Sequence, residues 1–118
     1  MSHFEELMVW QKAVDLAVKV YEITTKDPFN KDFGLRDQMR RSSVSISSNI
    51  SEGDQLESDK SSIRHLRIAK GSSAELYTQS IISNRIGYLK MEDFEYLKNE
   101  CQKILAMLTN LIKHRNNN

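Results

Sequence analysis

The 118-residue sequence has one cysteine, one proline, four glycines and almost no charge imbalance, with 17 Lys and Arg against 16 Asp and Glu. Each scarcity excludes something. Cys101 is alone, so no intrachain disulfide can form, which points to a reducing compartment. No alternating apolar run is bounded by a hairpin dipeptide, so strands are not expected. A net charge of +1 gives no general push toward nucleic acid or membrane. No apolar run approaches the roughly 20 residues of a membrane span. The opening Met-Ser-His-Phe-Glu-Glu is acidic and has no apolar core of a secretion signal. A soluble, cytoplasmic protein without a membrane partner is the expectation, and the length suits one domain over residues 1–118.

Catalytic constellations are equally scarce. His3, His65 and His114 are far apart, no Glu-x-x-His pair supplies a di-iron bundle site, and no Cys/His cluster suits zinc. Neither a GxxxxGK[ST] nor a GxGxxG loop is present to cradle phosphates. The serines of the Ser42–Ser48 stretch have no neighbouring base to activate them. Cys101 lies on an apolar stripe and reads as a small buried hydrophobe rather than a nucleophile. No catalytic residue, metal or cofactor is expected, and the protein reads as a non-enzyme.

What is present is helical periodicity, in four segments of about 5–25, 31–53, 58–86 and 91–115. Val9, Ala13, Leu16, Val20 and Ile23 step by four, three, four and three along one face of the first, with Leu7, Trp10, Val14, Ala17 and Tyr21 beside them. Phe33, Leu35, Met39, Val44, Ile46 and Ile50 serve the second, whose serine-rich middle is poor helix by propensity but lets a neighbour approach closely. Ser58 reads as the N-cap of the third, Gly87 as its stop, and mid-helix Gly71 as a place of close backbone packing. Leu97, Cys101, Ile104, Leu108 and Leu111 form the stripe of the fourth, widened by Phe94, Leu105 and Ile112. Pro28 closes the first segment. Short links force antiparallel neighbours, so the expected architecture is an all-α, up-and-down antiparallel four-helix bundle. The first and fourth helices carry apolar faces wider than one core requires. That excess predicts a homo-oligomer with Leu7, Trp10, Tyr21, Leu105 and Ile112 at its interface.

Two polar groupings remain. Arg40, Arg41, Ser45, Asn49 and Glu52 on the second helix face Ser72, Glu75 and Gln79 on the third if the chain turns near Gln55. Arg36 or Arg40 then lies opposite Glu75 or Gly71, and a buried or half-buried Arg–Glu pair near Arg40 and Glu75 fixes the register. Lys60, Arg64, Arg67 and Lys70 recur at spacings of four, three and three, and Arg85, Lys103, Lys113 and Arg115 can extend that basic stripe. A solvated helix face is the plain reading. A phosphate-backbone footprint is the sharper one, resting on Arg64, Arg67, Lys70 and Arg85.

Several blocks stand together in order: Phe4-x-x-Leu7-x-Val9-Trp10-Gln11-Lys12-Ala13, Gly34-Leu35-x-x-Gln38-x-Arg40-Arg41, Val44-Ser45-Ile46-x-Ser48-Asn49-Ile50-x-Glu52-Gly53 and Leu66-x-Ile68-Ala69-x-Gly71-Ser72-x-x-Glu75-Leu76. In these the sequence resembles the bacterial "four helix bundle protein" family, which includes the 23S rRNA intervening-sequence proteins. It is also similar to the accessory variability protein of diversity-generating retroelements. Ser47 stands where that family often has proline, and His65 where it usually has an aromatic residue. The resemblance implies a bundle assembling as a homopentameric ring. For the retroelement relative it implies a basic surface that binds nucleic acid and a reverse transcriptase. The leading expectation is therefore a non-enzymatic oligomeric accessory protein associated with RNA or DNA. The alternative is an adaptor whose oligomer surface docks another protein.

Overall fold

The computed structural model describes residues 4–56 and 58–116. His3 and the last two asparagines of the tail lie outside the described residues. Four helices run in sequence: α1 (Met8–Thr25), α2 (Phe33–Gln55), α3 (Asp59–Arg85) and α4 (Met91–Asn116). Among the described residues no strand occurs, and none of these helices is long and apolar enough to cross a membrane. The molecule is 46 × 21 × 20 Å.

Local chemistry sets the helix ends. Phe29–Lys31 form a short 3-10 turn, so α2 starts only after Asp32, whose carboxylate accepts the Leu35 amide at 3.2 Å. Ser58 caps α3 by accepting from the Ser61 amide at 3.1 Å. At the other end Gly87 adopts φ 81°, where a side chain would be strained. The Tyr88 amide donates to the Ser83 carbonyl at 2.9 Å and the Gly87 amide to that of Asn84 at 3.1 Å, a Schellman closure. The low helix propensity of the serine-rich middle of α2 is met locally. Ser43, Ser47 and Ser51 each bond a carbonyl three residues back, which consumes their hydroxyls without breaking the helix.

Cross-helix contacts give every neighbouring pair an antiparallel sense. Ser42 meets Gln79 and Asn49 meets His65 between α2 and α3. Tyr77 meets Gln102 and Ser62 meets Arg115 between α3 and α4. Lys12 pairs with Glu100 and Lys19 with Asp93 between α1 and α4, at 3.6 and 3.7 Å. Arg40 of α2 reaches Thr24 of α1, while Phe4, just before α1, lies beside Gln55 and Leu56. The core is built from Leu16 and Val20 of α1, Met39, Ile46 and Ile50 of α2, Leu66 and Leu76 of α3, and Leu97, Ile104 and Leu108 of α4, all fully buried. Phe29 seals the end near the α3–α4 turn, its ring edge-on to Tyr88 at 5.2 Å.

Several sequence expectations are corrected. Ile112 is a core residue, 8% exposed, and Leu7 and Trp10 pack against that core, so much of the apparent excess on α1 and α4 is consumed within the chain. Phe33 and Val44 point outward instead of joining the core. Phe33 lies under the Arg36 guanidinium, 4.8 Å from it. Exposed large apolar side chains sit instead at Val18 and Tyr21 on α1, Val44 on α2, and Ile68 and Ile82 on α3. The close helix approach is also elsewhere than expected. A Cβ on Gly53 would stand 3.1 Å from the Ser62 carbonyl oxygen, whereas one on Gly71 would meet nothing within 4 Å.

The two glycines should therefore respond oppositely to alanine. Gly71→Ala gains helix propensity and loses no packing, so urea denaturation should show about 1 kcal/mol of added stability. Gly53→Ala pushes a side chain against backbone and should fall below the parent protein. A gain at Gly53 equal to that at Gly71 would remove the close crossing from the account.

Candidate nucleic-acid interface

On α3, the i, i+4, i+7, i+10 spacing puts Lys60, Arg64, Arg67 and Lys70 along one outward strip. Arg64 and Arg67 are exposed and Lys70 is half-buried. Lys60, Ser61, Arg64, Arg67 and Ile68 line an open recess of about 590 Å³. A second, of about 310 Å³, lies between α3 and α4 and is lined by Arg67, Lys70, Thr109, Ile112, Lys113 and Asn116. Arg67 belongs to both, so the two adjoin. Among the described residues, none of Lys60, Arg64, Arg67, Lys70 and Lys113 is paired with a carboxylate. Their charges are available to an external anion.

The other expected members separate from this strip. Arg85 is exposed on the same side of α3 but five turns beyond Arg67, about 27 Å along the axis at 1.5 Å per residue. Lys103 leans on Glu100 at 3.4 Å. Arg115 does not extend the strip. Its guanidinium donates to the Ser62 hydroxyl at 2.6 Å and pairs with Asp54 at 3.4 Å, so it ties the end of α4 to the α2–α3 turn. Lys113, Thr109 and Asn116 complete the second recess. Of these the sequence pointed only to Lys113, because neutral Thr and Asn carry no signal until two helices are set side by side.

The expected polar network is rearranged. Arg40 and Glu75 do not meet. Arg40 lies on the α1 side of α2, donating to the Thr24 and Thr25 hydroxyls at 2.9 and 3.3 Å with its guanidinium 4.5 Å from the Tyr21 ring centre. Tyr21, expected at an oligomer interface, is thus partly covered by Arg40. Glu75 and Arg41 are exposed. The reason is facing: Ser72, Ser73, Leu76 and Gln79 are the buried positions of this stretch of α3, which leaves Glu75 outward, while Arg40 turns to α1. The α2–α3 seam contains instead Ser42 donating to Gln79 Oε1 at 2.6 Å, Ser45 and Ser72 at 2.8 Å, and His65 Nδ1 3.0 Å from Asn49 Oδ1 and 3.2 Å from Glu52. Asn49 and Glu52 do belong to it. His65 was missed, although it and Asn49 lie symmetrically about position 57 in the chain.

Nucleophilic chemistry has little to work with here. Burial, and secondarily the neighbouring Glu100, pushes the Cys101 thiol up to about 12, so it stays protonated and unreactive at neutral pH. Among the described residues no three His, Cys, Asp or Glu side chains come together to hold a metal ion.

These features define a four-helix, all-helical protein with a hydroxyl- and amide-lined internal seam and one basic strip. The chain belongs to the 23S rRNA-intervening sequence protein family, whose family model matches residues 5–110. A similar solved structure is that of a protein of unknown function from the S23 ribosomal protein family of Bacteroides thetaiotaomicron VPI-5482. It is 28% identical with a TM-score of 0.83, the match covering 90% of this chain and 99% of that one. No curated protein matches the chain.

The seam geometry separates two substitutions. Arg40→Ala removes charged hydrogen bonds and a ring contact from a half-buried site and should cost about 1–2 kcal/mol in chemical denaturation. Glu75→Gln, at an exposed position, should stay within about 0.5 kcal/mol of the parent. A large effect at Glu75 would restore the Arg–Glu pairing.

Proposed function

We propose that this protein is a non-enzymatic, oligomeric accessory protein that associates with RNA through the α3–α4 basic strip. The observation that carries the reading is the set of five cations, Lys60, Arg64, Arg67, Lys70 and Lys113, grouped around two adjoining recesses and, among the described residues, without an ion-paired acid. Such a group attracts phosphates by counterion release, so affinity should fall steeply with salt and depend weakly on sequence. The family description, a protein associated with an intervening sequence of 23S rRNA, supports RNA over other polyanions. Arg85 lies outside the strip of one copy and contributes to it only through assembly.

Assembly is the second part of the proposal. Val18, Tyr21, Val44, Ile68 and Ile82 are exposed apolar side chains on three of the four helices. Covering them with further copies, in the pentameric ring that the sequence resemblance implies, removes apolar surface from water and repeats the basic strip around an axis. Repetition turns a weak single footprint into a multivalent one. The adaptor reading draws on the same exposed Ile68 and Ile82, which could seat another protein.

Fluorescence anisotropy with structured RNA, alongside light scattering for mass, tests both parts. The expected results are a pentamer mass, micromolar RNA affinity and at least a tenfold loss in the Arg64→Glu/Arg67→Glu double variant, equivalent to about 1.4 kcal/mol or more. RNA affinity unchanged by that double charge reversal would remove the strip from the account, and a monomer mass would remove the assembly.

A further inference from the structure

Nucleic-acid surfaces differ in how they treat bases. Proteins that hold single strands interleave cations with exposed aromatic rings on which unstacked bases lie, whereas duplex-binding surfaces need only address phosphates and sugars. The two recesses around Arg67 are lined by Lys60, Ser61, Arg64, Ile68, Lys70, Thr109, Ile112, Lys113 and Asn116, with no aromatic ring in either. The nearest aromatic side chain further along that side of α3, Tyr77, is half-buried against the core, and its hydroxyl accepts from Gln102 at 3.5 Å. The exposed phenol and phenyl rings, Tyr21 and Phe33, are on α1 and α2, and each lies against an arginine, while the exposed His114 of α4 lines neither recess.

The arrangement of the cations points the same way. Arg64 to Lys70 spans about 9 Å of one helix at 1.5 Å per residue. Lys113 stands on the adjacent helix, and packed helices are about 8–10 Å apart. Four of the charges therefore run in line along α3, and the fifth stands about one helix spacing to the side on α4. Charges offset in this way can touch phosphates on both edges of a shallow groove, and the wide, shallow minor groove of A-form RNA presents them so. Ser61, Thr109 and Asn116 add short hydrogen-bonding groups among the cations, of the kind that meet phosphate and 2′-hydroxyl oxygens.

We infer that the α3–α4 strip is a duplex-RNA surface: it grips the backbone of a double helix and presents no aromatic ring on which unpaired bases could stack. The inference rests on the RNA reading above and narrows it to a ligand class.

The test uses the full chain, with a labelled RNA duplex of about 20 base pairs, either of its strands alone, and the DNA duplex of the same sequence, each titrated at low and moderate salt. The expected result is at least tenfold tighter binding of duplex RNA than of either strand. The slope of log affinity against log salt should be about four to five per copy for five cations. Arg67→Glu, at the junction of the recesses, should lower duplex affinity at least fivefold while circular dichroism and mass stay unchanged. Single strands bound as tightly as the duplex, or a duplex affinity indifferent to Arg67→Glu, overturns the inference while leaving RNA association standing. DNA duplex bound as tightly as RNA duplex overturns the assignment to the A-form groove. Failure to bind any of the probes overturns the RNA reading itself.

Discussion

Everything outward-facing on this molecule depends on how α3 is registered against α2, and that register is set where Gly53 lets the Ser62 carbonyl approach. From that crossing the seam runs outward through Asn49 and His65, Ser45 and Ser72, and Ser42 and Gln79. Polar groups out of water are costly unless paired. Among the described residues no buried side-chain nitrogen or oxygen lacks a hydrogen-bond partner. A slip of α3 by one turn would orphan several of these groups at once, where a purely aliphatic interface would tolerate it with only modest loss. The seam is thus better understood as a specifier of one arrangement than as a large source of stability.

The same register determines the charged surface. With Ser62, Leu66, Ser73 and Ser80 turned inward, Arg64, Arg67 and Lys70 must turn toward α4 and solvent. Two acids of the fourth helix are placed differently. Glu100 and Asp93 face Lys12 and Lys19 across the α1–α4 seam. Asp54, at the end of α2, engages Arg115. Among the described residues the strip gathers five cations without an ion pair, while others such as Arg41, Arg85 and Lys98 stand apart from it. The Lys12–Glu100, Lys19–Asp93 and Asp54–Arg115 pairs are only partly exposed, and their common consequence is to tie α4 to α1 and to the end of α2. The strip itself is self-repelling and is tolerated because it is exposed and screened within about 8–10 Å at ordinary salt.

Much of this could be read from the sequence, and the failures have identifiable causes. The four helical patterns, the Ser58 cap, the Gly87 stop and the burial of Cys101 follow from local chemistry, which does not depend on what lies across the bundle. The blocks from Trp10 to Glu75 placed the chain in its family. Register was misjudged by a few residues because the turn was centred on Gln55, and Glu75 was set on the seam although the inward positions of that stretch are Ser72, Ser73, Leu76 and Gln79. Gly71 was misread for a related reason: a mid-helix glycine signals a missing side chain but does not say which face it occupies. Ile112 and Leu105 could not be divided between core and surface by periodicity alone, since both lie on the broad apolar arc of α4. The recess formed with Thr109 and Asn116 required the α3–α4 pairing itself.

The central claim is that specific polar pairs between α2 and α3 fix the register and thereby the basic strip. A double-mutant cycle of Ser42→Ala and Gln79→Leu, read by denaturation, tests it most directly. The account predicts that the two substitutions are strongly non-additive, with an interaction energy of about 1 kcal/mol or more, since removing either partner strands the other in a buried site. Effects that simply add, within about 0.3 kcal/mol, would show that the pair is not formed and would contradict the register on which the rest of the surface depends.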